Sequence, residues 1–143
     1  MTNNALSTYL CFDGRCEEAI EFYGKAIGAQ KVMMFRFKDA PPGAGNPPGC
    51  APVPGDKVMH ARLKIGNATL LCSDGRCAGQ PKFEGVSLSL TAEDPAEADK
   101  LFAALGEGGK VEMPISKTFF SPAFGVVNDK FGLKWLVYVE AGR

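Results

Sequence analysis

The chain has 143 residues with 16 basic and 16 acidic side chains, and 45% of its residues are apolar. This length and composition predict a single globular domain over residues 1–143, and the zero net charge excludes the strong field that draws proteins to nucleic acid or anionic lipid. Apolar runs are far shorter than the roughly 20 residues of a membrane-spanning helix, and the start lacks the pattern of an export signal. Five cysteines without a CxxC pair favour reduced thiols, so we expect a cytoplasmic protein without nucleic-acid or membrane partners.

The first half of the chain predicts one strand, one helix and three further strands. The helix follows from apolar residues at three- and four-residue intervals from Ala19 to Ile27, and Gly28 ends it. Gly66-Asn67 lies between two alternating runs and predicts a two-residue hairpin turn. The predicted elements are the strands 6–12, 31–38, 58–65 and 68–73 and the helix 16–27.

A segment rich in breakers separates the second and third of these strands. Residues 39–56 contain six prolines and four glycines, which predicts a long loop without regular structure. Loops of this length serve as lids, as interface arms or as inert connections, and the sequence leaves all three open.

The second half repeats the same order. Asp94 and Pro95 predict the N-cap and first turn of a helix that runs to Leu105. A shift of 79 positions gives five identities in the seventeen residues 18–34, against roughly one by chance, which indicates an internal duplication. We therefore predict two βαβββ modules, over residues 6–73 and 83–140, with strands at 83–91, 110–115, 124–128 and 133–140 in the second.

Four segments of the chain resemble one protein family. They look like the PhnB-like branch of the glyoxalase, bleomycin-resistance and extradiol-dioxygenase superfamily, also called vicinal oxygen chelate proteins. The resemblance implies an α+β fold in which two four-stranded sheets curl into an eight-stranded cup, with helices outside and a small-molecule cavity inside. It also implies a homodimer. The segments are residues 8–10, 18–23, 58–61 and 128–135.

Strand alternation then assigns side chains to the two faces of each sheet. In the strand 58–65 the residues Met59, Ala61, Leu63 and Ile65 form an apolar row that suits packing under a helix, so His60 and Arg62 should face the cup. The hairpin register adds Leu71 and Ser73 of the next strand to the cup. The 79-residue shift adds Thr8, Leu10 and Phe12 of the first strand. We predict that the residues that bind the ligand are Thr8, Phe12, His60, Arg62, Leu71, Ser73, Ser87 and Leu136.

Metal enzymes of the superfamily hold one divalent ion with a side chain from the first and fourth strands of each module. By resemblance these positions are Thr8, Leu71, Ser87 and Leu136, and none of them offers a carboxylate, imidazole or thiolate. His60 is the only histidine, so another site would need a composite such as His60 with Asp74 and Glu140. We predict no metal and no cofactor.

The sequence therefore favours a metal-independent protein that binds a small, partly apolar molecule. The alternatives are a metal-dependent lyase, isomerase or dioxygenase with relocated ligands, and a dimeric structural protein whose cavity is filled by side chains. Some members of the branch carry a demethylubiquinone methyltransferase label, but the chain has no glycine-rich nucleotide loop between a strand and a helix. Whether the protein is an enzyme, and which residues would then be catalytic, stays open.

Overall fold

The computed structural model describes residues 5–40, 54–75 and 82–141. In these residues the order β-α-β-β-β occurs twice, once in each of two compact units, Met1–Pro81 and Lys82–Arg143. The first unit contains β1 (Thr8–Cys11), α1 (Cys16–Ile27), β2 (Gln30–Arg36), β3 (Val58–Ile65) and β4 (Ala68–Ser73). The second contains β5 (Ser87–Ala92), α2 (Pro95–Leu105), β6 (Lys110–Ser116), β7 (Phe124–Asn128) and β8 (Lys134–Val139).

Each unit has one four-stranded mixed sheet. The strand orders are β1-β4-β3-β2 and β5-β8-β7-β6, with β1/β4 and β5/β8 parallel and the other neighbours antiparallel. The predicted hairpin is confirmed, because Ile65 pairs with Ala68 across Gly66, whose φ of +58° suits glycine. The α+β class and the two βαβββ modules are likewise confirmed.

Several boundaries differ from the predicted ones. Strand β1 begins two residues later than expected, and β2 ends at Arg36, after which Phe37–Asp39 forms a 3-10 turn. Strand β5 begins only at Ser87, four residues after the predicted start. Most of the predicted loop 39–56 lies outside the described residues.

Helix α1 packs on its sheet through a buried stripe and is held at both ends. Ala19, Ile20 and Tyr23 are buried, and Gly28 ends the helix in the left-handed conformation with its N–H donating to Tyr23. At the start, the Asp74 carboxylate accepts the N–H of Cys16 at 2.7 Å through one oxygen and the N–H of Val58 at 2.6 Å through the other. Asp74 therefore joins the end of β4 to the beginnings of α1 and β3.

The second unit has its own polar anchors. Asp94 accepts the N–H of Glu97 at 2.8 Å, which confirms the predicted N-cap of α2. Asp129 is 3% exposed and accepts the indole N–H of Trp135 at 2.9 Å and the backbone N–H groups of Phe131 and Leu133. These bonds fix the turn between β7 and β8. Within the described residues, no helix is long and apolar enough to cross a membrane.

Candidate functional site

The side of the first sheet that faces away from α1 carries a mixed polar and aromatic surface, which we call the His60 face. Paired residues in a sheet share a face, so the register defines its members. One row crosses the sheet through Tyr9, Leu71, Arg62 and Met33, and Phe35 pairs with His60 in the next row. Away from the Gly66 turn, the residues of the His60 face are Tyr9, Cys11, Met33, Phe35, His60, Arg62, Leu71 and Ser73. Alternation therefore placed His60, Arg62, Leu71 and Ser73 on the correct side of the sheet.

Tyr9 and His60 form the central contact of this face. The Tyr9 hydroxyl lies 3.1 Å from Nδ1 of His60, and the two rings stack with centroids 5.7 Å apart and planes inclined by 25°. Tyr9 is 48% exposed and His60 is half-buried. The imidazole is therefore held at Nδ1, and no hydrogen bond to Nε2 is seen within the described residues, which fits a side chain that meets a ligand.

The structure corrects the predicted side of β1. Thr8 pairs with Leu70 and Leu10 with Cys72, both on the α1 side of the sheet. Phe12 is completely buried, with its ring 6.1 Å from that of Tyr23 in α1. Thr8 and Phe12 therefore lie on the side packed under the helix. Tyr9 and Cys11, not Thr8 and Phe12, lie on the His60 face.

The physical reason is one additional residue between β1 and α1. The helices follow the 79-residue shift, because Cys16 and Pro95 both begin one. The strands do not, because Tyr9 pairs with Leu71 whereas Ser89 pairs with Leu136, which is a shift of 80. The longer connection contains Asp13 and Gly14 with φ of +51° and +103°. A shift of one residue in a strand moves every side chain to the opposite side.

Arg62 offers a positive charge on the His60 face. Of the three arginines in the described residues, Arg15 pairs with Glu18 and Arg36 with Glu17, while Arg62 has no ion pair or hydrogen bond there. Its side chain is exposed. A guanidinium in this state can bind a carboxylate through two parallel hydrogen bonds.

Ser73 contributes less than the sequence predicted. It is only 5% exposed, and its hydroxyl accepts the N–H of Gly75 at 3.1 Å and lies 3.9 Å from the Cys11 sulfur. Its main role is to hydrogen-bond the backbone of the residues that follow β4. Beneath the sheet, a hydrogen bond with Cys72 and burial raise the pKa of the Cys16 thiol far above its ordinary value, so this cysteine stays neutral.

The corresponding side of the second sheet carries hydroxyl groups. Ser87, Ser89 and Thr91 are exposed and share their side with Leu136, the pairing partner of Ser89. Trp135 lies on the opposite side and is 2% exposed. Ser87 and Leu136 thus lie on one face of their own sheet, in the second unit.

The described residues offer little that could coordinate a metal ion. They contain no group of three or more His, Cys, Asp or Glu side chains placed to share an ion. Asp74, which the sequence offered for a composite site, is 1% exposed and uses both carboxylate oxygens for backbone N–H groups. Metal independence stays a prediction that elemental analysis decides.

Comparisons with known proteins give a consistent result. Residues 4–138 match the family model described as 3-demethylubiquinone-9 3-methyltransferase. Protein YjdN of Escherichia coli K12 is 33% identical over 138 residues, covering 94% of each chain. The crystal structure of PA1353 from Pseudomonas aeruginosa is 38% identical with a TM-score of 0.82, over 96% of this chain and 98% of that one.

A second solved structure carries the branch in its description. The Bacillus cereus protein described as a putative 3-demethylubiquinone-9 3-methyltransferase, PhnB protein, is 28% identical with a TM-score of 0.76. The match covers 95% of this chain and 99% of that one. More distant structures, below 25% identity, include glyoxalase-related and bleomycin-resistance domains and share the fold alone.

Proposed function

The chain belongs to the family described as 3-demethylubiquinone-9 3-methyltransferase, in the PhnB-like branch of the glyoxalase/bleomycin-resistance superfamily, and on this basis we propose that it binds a small, partly apolar anion at its His60 face. The binding needs no metal ion. The observation that supports it best is a guanidinium, that of Arg62, which has no ion pair among the described residues and lies on the same face as a stacked Tyr9–His60 pair.

The polar half of the ligand is matched by two neighbouring side chains. Arg62 and His60 lie two positions apart on β3 and so share a side, with Cα atoms about 7 Å apart. Arg62 would hold a carboxylate through charge-assisted hydrogen bonds, and His60 would meet a second oxygen or an acidic hydrogen a few atoms away.

The apolar half is matched by the surroundings of these two residues. Arg62 pairs with Leu71 on one side and with Met33 on the other, and Phe35 pairs with His60 and is 48% exposed. Small-molecule sites combine such apolar walls with a few oriented polar groups. Phe35 and Tyr9 favour a ligand with a planar apolar group.

Methyl transfer, which the family description names, receives no support from these residues. A nucleotide-linked methyl donor would need a glycine-rich turn between a strand and a helix. The connection from β1 to α1 contains one glycine, Gly14, and that from β5 to α2 is Glu93-Asp94. We therefore propose binding, and a methyl donor is not part of the proposal.

The test uses 3-phenylpropionate, which carries a phenyl ring and a carboxylate, in isothermal titration calorimetry with protein treated with a chelator. Arg62→Ala should weaken binding by about 1.5–3 kcal/mol, or roughly 10- to 150-fold. Lys64→Ala is the matched control, because Lys64 is an exposed cation two positions further along β3 on the same side.

The uncharged analogue 3-phenylpropan-1-ol should bind wild-type and Arg62→Ala protein alike, since it has no carboxylate for the guanidinium. Equal losses of 3-phenylpropionate affinity in Lys64→Ala and Arg62→Ala would mean that Arg62 acts only through the general positive charge of this face. Absence of saturable binding by chelated protein, with binding restored by a divalent metal, would refute metal independence and favour the metal-dependent alternative.

A further inference from the structure

We propose that His60, positioned by Tyr9, is the base that enolises a 2-oxo acid whose carboxylate is held by Arg62. This inference rests on the proposed function, because the same His60 face must first bind the anion. It goes further by assigning a reaction to the site and a chemical class to the substrate.

The contact between Tyr9 and His60 divides the roles of the two imidazole nitrogens. Nδ1 lies 3.1 Å from the tyrosine oxygen. In the tautomer in which Nδ1–H donates to that oxygen, Nε2 has a free lone pair and can accept a proton. Ring stacking at 5.7 Å holds the imidazole plane in place, so Tyr9 acts as a positioning residue for His60.

The substrate class follows from the neighbour of this base. A carboxylate held by Arg62, two positions from His60 on β3, brings a carbon two bonds from the carboxylate carbon within reach of the imidazole. In a 2-oxo acid that carbon, C3, carries hydrogens that the adjacent carbonyl makes acidic. The site therefore suits proton abstraction next to a carbonyl, with Phe35 and Leu71 beside the substituent on C3.

The step balances without a further reactant. The C3–H bond breaks and its proton goes to Nε2, while its electron pair forms the C2=C3 double bond. The carbonyl pair moves to oxygen and gives an enolate, whose neighbouring carboxylate stays on Arg62. The imidazolium returns the proton to C3 or delivers it to the oxygen, so the products are the same keto acid or its enol.

The probe is phenylpyruvate, which combines a phenyl ring, a carboxylate and benzylic hydrogens on C3. Exchange of these hydrogens for deuterium in D₂O is followed by proton NMR, and binding of phenylpyruvate and 3-phenylpropionate is measured in parallel by calorimetry. The wild-type protein should exchange C3 hydrogens well above the buffer rate. His60→Gln and His60→Asn should lower that rate by about 100-fold or more, while Lys64→Ala leaves it unchanged.

Two readouts separate a chemical role of these residues from a structural one. His60 is the only histidine, so its two ring nitrogens give a single pair of ¹⁵N resonances that report the tautomer directly. Tyr9→Phe should move these resonances towards the other tautomer and lower the exchange rate with little change in phenylpyruvate affinity. Acylation of wild-type His60 with diethyl pyrocarbonate, reversed by hydroxylamine, should abolish and restore exchange without any substitution.

The outcomes distinguish this inference from the proposed function. Binding of both probes without exchange would overturn proton transfer and leave anion binding intact. Exchange that persists in both His60 variants would also overturn it. Failure of both probes to bind would overturn the two proposals together.

Discussion

Replacing Asp74 by asparagine should lower the stability of the protein strongly, although the side chain keeps its shape. The carboxylate is 1% exposed and accepts one backbone N–H with each oxygen, at 2.7 and 2.6 Å. Asparagine keeps the shape but replaces one acceptor by an NH₂ group, which then points at a backbone N–H. One charge-assisted hydrogen bond is lost, and one buried donor is left without an acceptor.

These two effects together amount to about 3–5 kcal/mol, a large share of the roughly 5–15 kcal/mol that stabilises a domain. In urea this corresponds to a midpoint lower by roughly 2 M. Far-UV circular dichroism follows the unfolding of both units, and the fluorescence of Trp135, the single tryptophan, follows the second.

Asp94→Asn is the matched control. Asp94 also accepts a backbone N–H, at 2.8 Å, but it is an exposed N-cap, where asparagine serves about as well. Its free energy of unfolding should change by less than about 0.5 kcal/mol. A loss below 1 kcal/mol in Asp74→Asn would refute the view that this carboxylate fastens α1 and β3 to the end of β4.

The hydrogen bond from Arg36 lowers the pKa of Glu17. This ion pair should therefore stabilise the fold at pH values above the ordinary glutamate pKa, and the stabilisation should disappear as pH falls through the lowered pKa. In urea titrations, Glu17→Gln should unfold slightly more easily than wild type at pH 7 and equally easily at low pH. Untagged protein should contain far less than one metal ion per chain by elemental analysis, and one ion per chain lost on substituting Leu71 or Leu136 would contradict this. Light scattering at micromolar concentration should give about twice the 15.2 kDa of the chain, and a monomer would count against the expected homodimer.

Local signals in the sequence predicted elements accurately where one short motif determines the geometry. Asp94-Pro95 marked the start of α2 and Gly66-Asn67 the hairpin because capping and turn chemistry depend on adjacent residues. Alternation also placed His60 and Arg62 on the correct side of β3. These inferences needed no knowledge of distant contacts.

The remaining features depend on tertiary contacts or on one residue of register. Tyr9 was missed because the 79-residue shift assumed equal connections in the two modules, and its partner His60 is 51 positions away. The sequence offered Asp74 only for a composite metal site, and its structural role was missed because its two backbone partners are 58 and 16 positions distant. No periodicity in the sequence signals either contact.

The unequal connection before α1 has a consequence for how a duplicated protein diversifies. One additional codon in that turn moves every side chain of the strand to the other side of the sheet. As a result, an aromatic and a thiol side chain face away from the helix in the first module, where the second module has hydroxyl groups. No codon of the strand itself needs to change, and the helix keeps its place. A single insertion can therefore give the two copies of one ancestral unit different surface chemistry in a single event.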